Sequence, residues 1–162
     1  MPLETMSDHN REEVAAFIER HWGSRTIMSS GKAYLPHQEY AILERDQAQI
    51  ASLVTFRIDG LELEVLTLNS LHEGRGSGTK LMLAVLDEAR RRAVTKVWLT
   101  TTNDNLEAIR FYQRLGFRMT QVRVGAVDQA RKIKPQIPLI GREGIGIHDE
   151  IVMELALEPF IG

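Results

Sequence analysis

Apolar positions run through the chain first with a helical period and then with an alternating one. Between residues 7 and 23, Val14, Phe17, Ile18 and Trp22 fall at helical spacing behind Ser7 or Asp8 as an N-cap, and Gly23 supplies the stop. Residues 39–46 and 48–58 then read as strands, and Asp59-Gly60 marks a hairpin into a third strand over 61–69. Three such runs in succession predict an antiparallel meander. From Thr79 the period is helical again: Met82, Val85, Leu86 and Ala89 share a face, Asp87 and Glu88 precede Arg91 and Arg92 by one turn, and the closing arginines suit the negative end of the helix dipole.

A short apolar strand follows at 96–102, and the helix before it predicts a right-handed parallel crossover, the one βαβ unit of the chain. The next helix is expected to open at Asp104 with Glu107 in its first turn, or at Asn105, a residue favoured there, to carry Leu106, Ile109, Tyr112 and Leu115 inward, and to stop at Gly116. The last strands are expected over 117–125 and 150–157. The segment between them starts helical and is then broken by Pro135, Pro138, Gly141, Gly144 and Gly146. A connection of that length is usually one that covers a site. The elements predict an α/β (α+β) fold: a mixed, mostly antiparallel sheet flanked by helices.

Composition narrows the functional classes. The 162 residues, 43% hydrophobic and without a shift in composition, predict one domain over 1–162. Twenty Lys and Arg against 22 Asp and Glu leave a net charge of −2, so no basic field draws nucleic acid or anionic lipid. The absence of Cys removes disulfides, thiolate metal sites and a cysteine nucleophile. Five His without an H-x-x-x-H pair predict no metal site. The polar N-terminus lacks the apolar core of a signal peptide and no run is as long as a membrane span, so the expected setting is cytoplasmic.

The densest local signal is HEGRGSGTKLM, residues 72–82, with three glycines between a strand and a helix. A P-loop places Lys and Ser or Thr directly after its last glycine, but Gly78 is followed by Thr79, Lys80 and Leu81. A dinucleotide fingerprint places a third glycine where Leu81 stands. What remains is either a tight turn with no ligand or a cradle for a diphosphate. In the second reading the unpaired N–H groups of Arg75 through Thr79 meet the anion at the positive end of the helix dipole, with Arg75 and Lys80 adding charge.

The two halves of the chain's centre resemble the paired motifs of the GNAT superfamily of N-acetyltransferases. Glu73, Gly74, Arg75, Gly76, Ser77 and Gly78 are similar to its Q/R-x-x-G-x-G/A loop, with Glu73 in place of Gln or Arg. Asn105, Ala108, Phe111, Tyr112, Gly116 and Phe117 are similar to its N-x-x-A-x-x-F-Y-x-x-x-G-F helix. The tail, GAVDQARKIKPQIP and GIGIHDEIVMEL, resembles a bacterial GNAT subgroup of unknown substrate in which Pro is usual at the position of Gly146.

The resemblance implies an acyl-coenzyme A-dependent N-acyltransferase with a splayed parallel strand pair, acetyl-CoA as acyl donor, no metal, a small-molecule amine or peptide as acceptor, and a possible homodimer. It implies that the backbone of Leu66, Thr67 and Leu68 pairs with the pantetheine arm, and that Glu73, Gly74, Arg75, Gly76, Ser77, Gly78 and Thr79 surround the diphosphate. It also implies that Asn105, Ala108, Phe111 and Tyr112 complete the coenzyme site. Tyr112 is the implied acid for the departing thiolate. Glu62 and Glu64, alternating on one strand face, are the candidate bases; such alternation also marks a solvated face. His37, His72 and His148 titrate in a useful range but read as surface loops. Asp128, Arg131, Lys134 and Asp149 are candidates for selecting the acceptor. The alternative is a non-catalytic acyl-CoA-binding or sensor module with the same fold.

Overall fold

The computed structural model describes residues 2–72 and 74–158. Seven strands form one sheet in the order β1-β4-β5-β6-β7-β9-β8, built from β1 (Leu3–Thr5), β4 (Tyr40–Asp46), β5 (Gln49–Asp59), β6 (Glu62–Ser70), β7 (Lys96–Thr102), β8 (Arg118–Arg123) and β9 (Glu150–Ala156). A separate hairpin joins β2 (Ile27–Ser29) to β3 (Lys32–Tyr34). All sheet pairings are antiparallel except β6 with β7. The predicted meander is β4-β5-β6.

Helices α2 (Ser77–Arg91) and α3 (Leu106–Arg114) cover one face. Leu81, Met82, Val85 and Tyr112 from these helices join Val54, Phe56, Leu63, Val65, Val97, Leu99 and Met153 of the sheet in one buried cluster. Helix α1 (Arg11–Trp22) covers the other face, where Val14, Phe17 and Ile18 meet Ala41, Leu43 and Leu53. Its N-cap is Asn10, not Ser7 or Asp8: the Asn10 carbonyl accepts from Val14 N–H at 3.0 Å, and its side-chain Oδ1 accepts from Ser7 N–H at 2.8 Å. Likewise α3 is capped by Asn105, whose Oδ1 accepts from Ala108 N–H at 3.2 Å, rather than by Asp104.

Two irregularities shape the centre of the sheet. The parallel ladder holds from Glu62↔Lys96 to Val65↔Leu99 and then ends, after which β6 pairs only with β5 and β7 only with β9. Within β5-β6, Thr55 faces Thr67 and Phe56 faces Val65, so Leu66 is an extra residue in β6. A bulge bends and twists its strand. Here it falls where β6 leaves β7.

The long late segment begins with α4 (Ala126–Ile133), as its start predicts. Arg131 holds the rest: its guanidinium donates to the carbonyls of Ile137 at 3.0 Å, Pro138 at 2.8 Å and Ile147 at 2.9 Å, and to Asp128 at 2.9 Å. Lys134 Nζ donates to the Thr26 carbonyl at 2.8 Å, and Asp149 Oδ1 accepts from Gly125 N–H at 2.9 Å. Among the described residues no helix is long and apolar enough to cross a membrane.

Candidate active site

The end of β6 beyond its divergence from β7, the glycine loop and α3 line a cavity of about 520 Å³. One wall is Leu68, Gly74, Gly76, Ser77, Gly78 and Thr79; the other is Asn105, Ala108, Phe111 and Tyr112. Two motifs some 30 residues apart in the chain therefore meet across one opening. Leu66 and Thr67 are buried in β6 at the inner end of the divergence, where the edge of the strand facing β7 has no ladder partner. Arg75 is exposed beside the cavity. Glu73 lies outside the described residues.

The loop geometry follows from its glycines. Gly76 caps α2 at φ 77°, a left-handed conformation that costs a residue with a Cβ about 1–2 kcal/mol. Gly78 sits under the Phe111 ring, where an added Cβ would stand 3.3 Å from Cζ. Its missing side chain lets α2 approach α3. The first N–H groups of α2 have no intrahelical acceptor and lie at its positive end, the arrangement that receives a phosphate.

Tyr112 is buried, with Phe111 at 5.0 Å and Phe117 at 5.5 Å between ring centroids, both edge-on. Burial pushes its phenol above the ordinary tyrosine range, so it holds its proton throughout the neutral range. Asn105 spends its Oδ1 on the α3 cap while still lining the cavity.

The two candidate bases separate. Glu64 is 2% exposed and lies one residue before the last parallel pair; its Oε1 accepts from Arg57 Nε at 2.7 Å and its Oε2 from Ser29 Oγ at 2.5 Å. Ser29 Oγ is 3.1 Å from Thr100 Oγ1, and the Arg57 guanidinium lies 4.8 Å from the centre of the Tyr34 ring. The β2-β3 hairpin thus closes over Glu64. Glu62 starts β6, at the end away from the glycine loop, and its half-exposed carboxylate pairs with Lys96 Nζ at 2.9 Å.

The histidines lie apart. His72 borders the cavity with Nε2 3.3 Å from Asp46, His148 Nδ1 is 3.0 Å from Asp128, and the buried Nδ1 of His37 has no hydrogen-bond partner among the described residues. Asp128, Arg131, Lys134 and Asp149, expected to face an acceptor, are spent on fastening the late segment to itself and to Thr26. No group of three His, Cys, Asp or Glu among the described residues is placed to hold a metal ion.

Three arginines that line the cavity escape the sequence reading. Arg110 and Arg114 project from α3, and Arg142 arrives from the late segment and pairs with Glu107 at 3.3 Å. The spacing of Arg110 and Arg114, one helical turn apart among α3 residues already implicated, is a signal that could have found them. Arg142 had none, because a hydrogen bond from its N–H to Asp104 Oδ2 at 3.1 Å, across 38 residues, brings it there.

The acetyltransferase (GNAT) family model matches residues 4–117. The uncharacterized protein YxbD of Bacillus subtilis (strain 168) is 36% identical over 149 residues, covering 91% of this chain and 94% of its own. The [ribosomal protein bS18]-alanine N-acetyltransferase of Escherichia coli (strain K12) is 28% identical over 108 residues, 63% of this chain and 68% of its own. In structure, a Bacillus subtilis acetyltransferase in complex with CoA superposes with a TM-score of 0.69 over 96% of this chain and 98% of its own, at 15% identity. The family match over most of the chain, the relative aligned nearly end to end and the shared fold together establish that this chain belongs to the GNAT acetyltransferase family.

Proposed function

We propose that the chain is an N-acetyltransferase that moves the acetyl group of acetyl-CoA to a primary amine by direct transfer while donor and acceptor are both bound. The observation that carries this reading is the opening of the β6-β7 pair onto the cavity between the glycine loop and Tyr112. In this reading the N–H groups of Gly74 through Thr79 receive the diphosphate, with Arg75 beside them. The unpaired backbone edge at Leu66, Thr67 and Leu68 receives the amides of the pantetheine arm, and an N–H of this edge polarises the thioester carbonyl. Asn105, Ala108 and Phe111 form the facing wall.

Acyl transfer then requires one bond made and one broken. The neutral amine nitrogen bonds to the carbonyl carbon, the C–S bond breaks, Tyr112 gives its phenolic proton to the leaving sulfur, and the nitrogen loses a proton. In this reading Glu64, one residue before the last parallel pair, takes that proton, directly or through water. Glu62, in its surface pair at the far end of the strand, is not given that role.

The second reading is a module that binds acyl-CoA without turnover. It is favoured by Glu64 having both oxygens engaged, by Arg57 and by Ser29. The test is thiol release from acetyl-CoA across a panel of small amines and peptides with free N-termini. At least one acceptor is expected to accelerate release; binding of acetyl-CoA with no acceleration by any acceptor would select the module.

A further inference from the structure

Glu44, in β4, is a buried carboxylate that takes no part in the chemistry above. It is 3% exposed on the sheet face that carries α2. Its Oε1 accepts from Ser77 Oγ at 2.9 Å and from Ser52 Oγ at 3.4 Å, and its Oε2 accepts from Lys80 Nζ at 2.7 Å. Ser52 stands opposite it in the β4-β5 ladder, so one partner is the sheet itself. The other two are the first and fourth residues of α2.

That turn lacks the usual means of fixing its own geometry. Its N-cap is a glycine with no side-chain hydrogen bond, and it has no acid in its first turn. An isolated helix start of this kind is held by packing and by whatever reaches it from outside. A buried carboxylate, in turn, is tolerated only when its charge is paired and its lone pairs are used. The two requirements meet at Ser77, which is buried on the Glu44 side while its residue lines the cavity on the other.

We propose that Glu44 is a positioning residue for the phosphate cradle, tying the first turn of α2 to the sheet so that the N–H groups of Ser77, Gly78 and Thr79 converge on the diphosphate of the acyl donor. The inference rests on the acyl-CoA reading of the cavity. Its distinguishing consequence is that loss of Glu44 weakens a donor that carries the diphosphate and spares one that does not.

The experiment is a calorimetric titration of the full chain with acetyl-CoA, paired with displacement by S-acetyl-pantetheine, each below the unfolding temperature of every variant. Glu44→Ala is expected to raise Kd for acetyl-CoA at least tenfold and to leave the S-acetyl-pantetheine constant within about twofold. Glu44→Gln keeps an acceptor for Ser77 Oγ and is expected to restore acetyl-CoA binding to within about threefold. Ser77→Ala alone is expected to weaken acetyl-CoA at least threefold, and to add less than twofold on the Glu44→Ala background, because the two residues act as one unit.

Unchanged acetyl-CoA affinity in Glu44→Ala, or equal weakening of both ligands, overturns the proposal and leaves Glu44 a buried ion pair that serves stability alone. Should Glu44→Ala fail to fold, unchanged affinity in Ser77→Ala overturns it equally. A wild-type protein that does not bind acetyl-CoA at all removes the acyl-CoA reading together with this inference, an outcome visible before any variant is made.

Discussion

Tyr112 and Glu64 are both buried, but Tyr112 packs between aromatic rings and Glu64 against a cation. The phenol of Tyr112 is kept neutral, so as an acid it retains its proton at every pH below its raised value, itself above the ordinary 10.0. Turnover should therefore show no alkaline loss from Tyr112 up to about pH 9.5 in a pH–rate profile. Tyr112→Phe keeps both edge-on ring contacts and should leave acetyl-CoA affinity within about threefold while lowering kcat by roughly 10²-fold or more. Full turnover in that variant would exclude Tyr112 as the acid. Glu64, by contrast, has both carboxylate oxygens engaged, by Arg57 and by Ser29. Removing the cation by Arg57→Ala leaves a carboxylate buried without its charge partner, and chemical denaturation should show a loss of about 3 kcal/mol. Glu64→Gln, which leaves a neutral amide in the same place, should lose less stability. A stability loss below about 1 kcal/mol in Arg57→Ala would mean that water reaches Glu64 in the folded protein.

At the scale of elements, the late segment is held by a contact with no spare room. A Cβ at Gly141 would stand 2.0 Å from Asp104 Oδ2 and 2.8 Å from Ile147 Cδ1, and Asp104 is the residue that receives Arg142 N–H. Gly141→Ala should therefore destabilise by about 1–3 kcal/mol in thermal unfolding, with the segment displaced from α3. An unchanged melting temperature would show that the segment relaxes freely. The same contrast separates what the sequence makes legible from what it does not. Helices α1, α2 and α3 and the strands β4, β5, β6, β7 and β9 follow from period and punctuation, because each runs for seven residues or more, long enough to show its apolar pattern. The hairpin β2-β3 has three residues on each side, too few for a period, and rests on a turn with Ser30 and Gly31 both at positive φ. Both motif halves of the cavity are legible because their residues are local in sequence. The burial of Glu44 and Glu64 is not: an acid in an alternating strand reads as a solvated face, and only Ser77 and Lys80, or Ser29 and Arg57, arriving from elsewhere, make burial possible.

At the scale of the molecule, several carboxylates are tied to cations. Lys80, followed by Ser77, holds the Glu44 carboxyl below its ordinary value of 4.5; Arg45 does the same for Glu4 and Glu13, and Arg92 with Arg91 for Glu88. A carboxyl whose value is lowered by folding contributes stability that is complete above its unfolded value and disappears as pH falls through the folded one. Unfolding free energy should accordingly lose the carboxylates' share below about pH 4.5, with Glu44→Gln showing a shallower acid limb, while His21 and His37, held by burial below their ordinary 6.5, already erode stability as pH falls through that value. The same global equilibrium reports the ligand. A donor that binds only the folded protein adds RT ln(1 + [L]/Kd), about 2.7 kcal/mol at 100 times Kd, which for a chain of this size is a rise of roughly 5–10 °C in melting temperature. Thermal unfolding of the full chain against a titration of acetyl-CoA is the most direct test of the central claim, that the divergence of β6 from β7 beside the glycine loop is an acyl-CoA site. The predicted result is a melting temperature that climbs with the logarithm of acetyl-CoA concentration. A melting temperature that does not move at millimolar acetyl-CoA would contradict it.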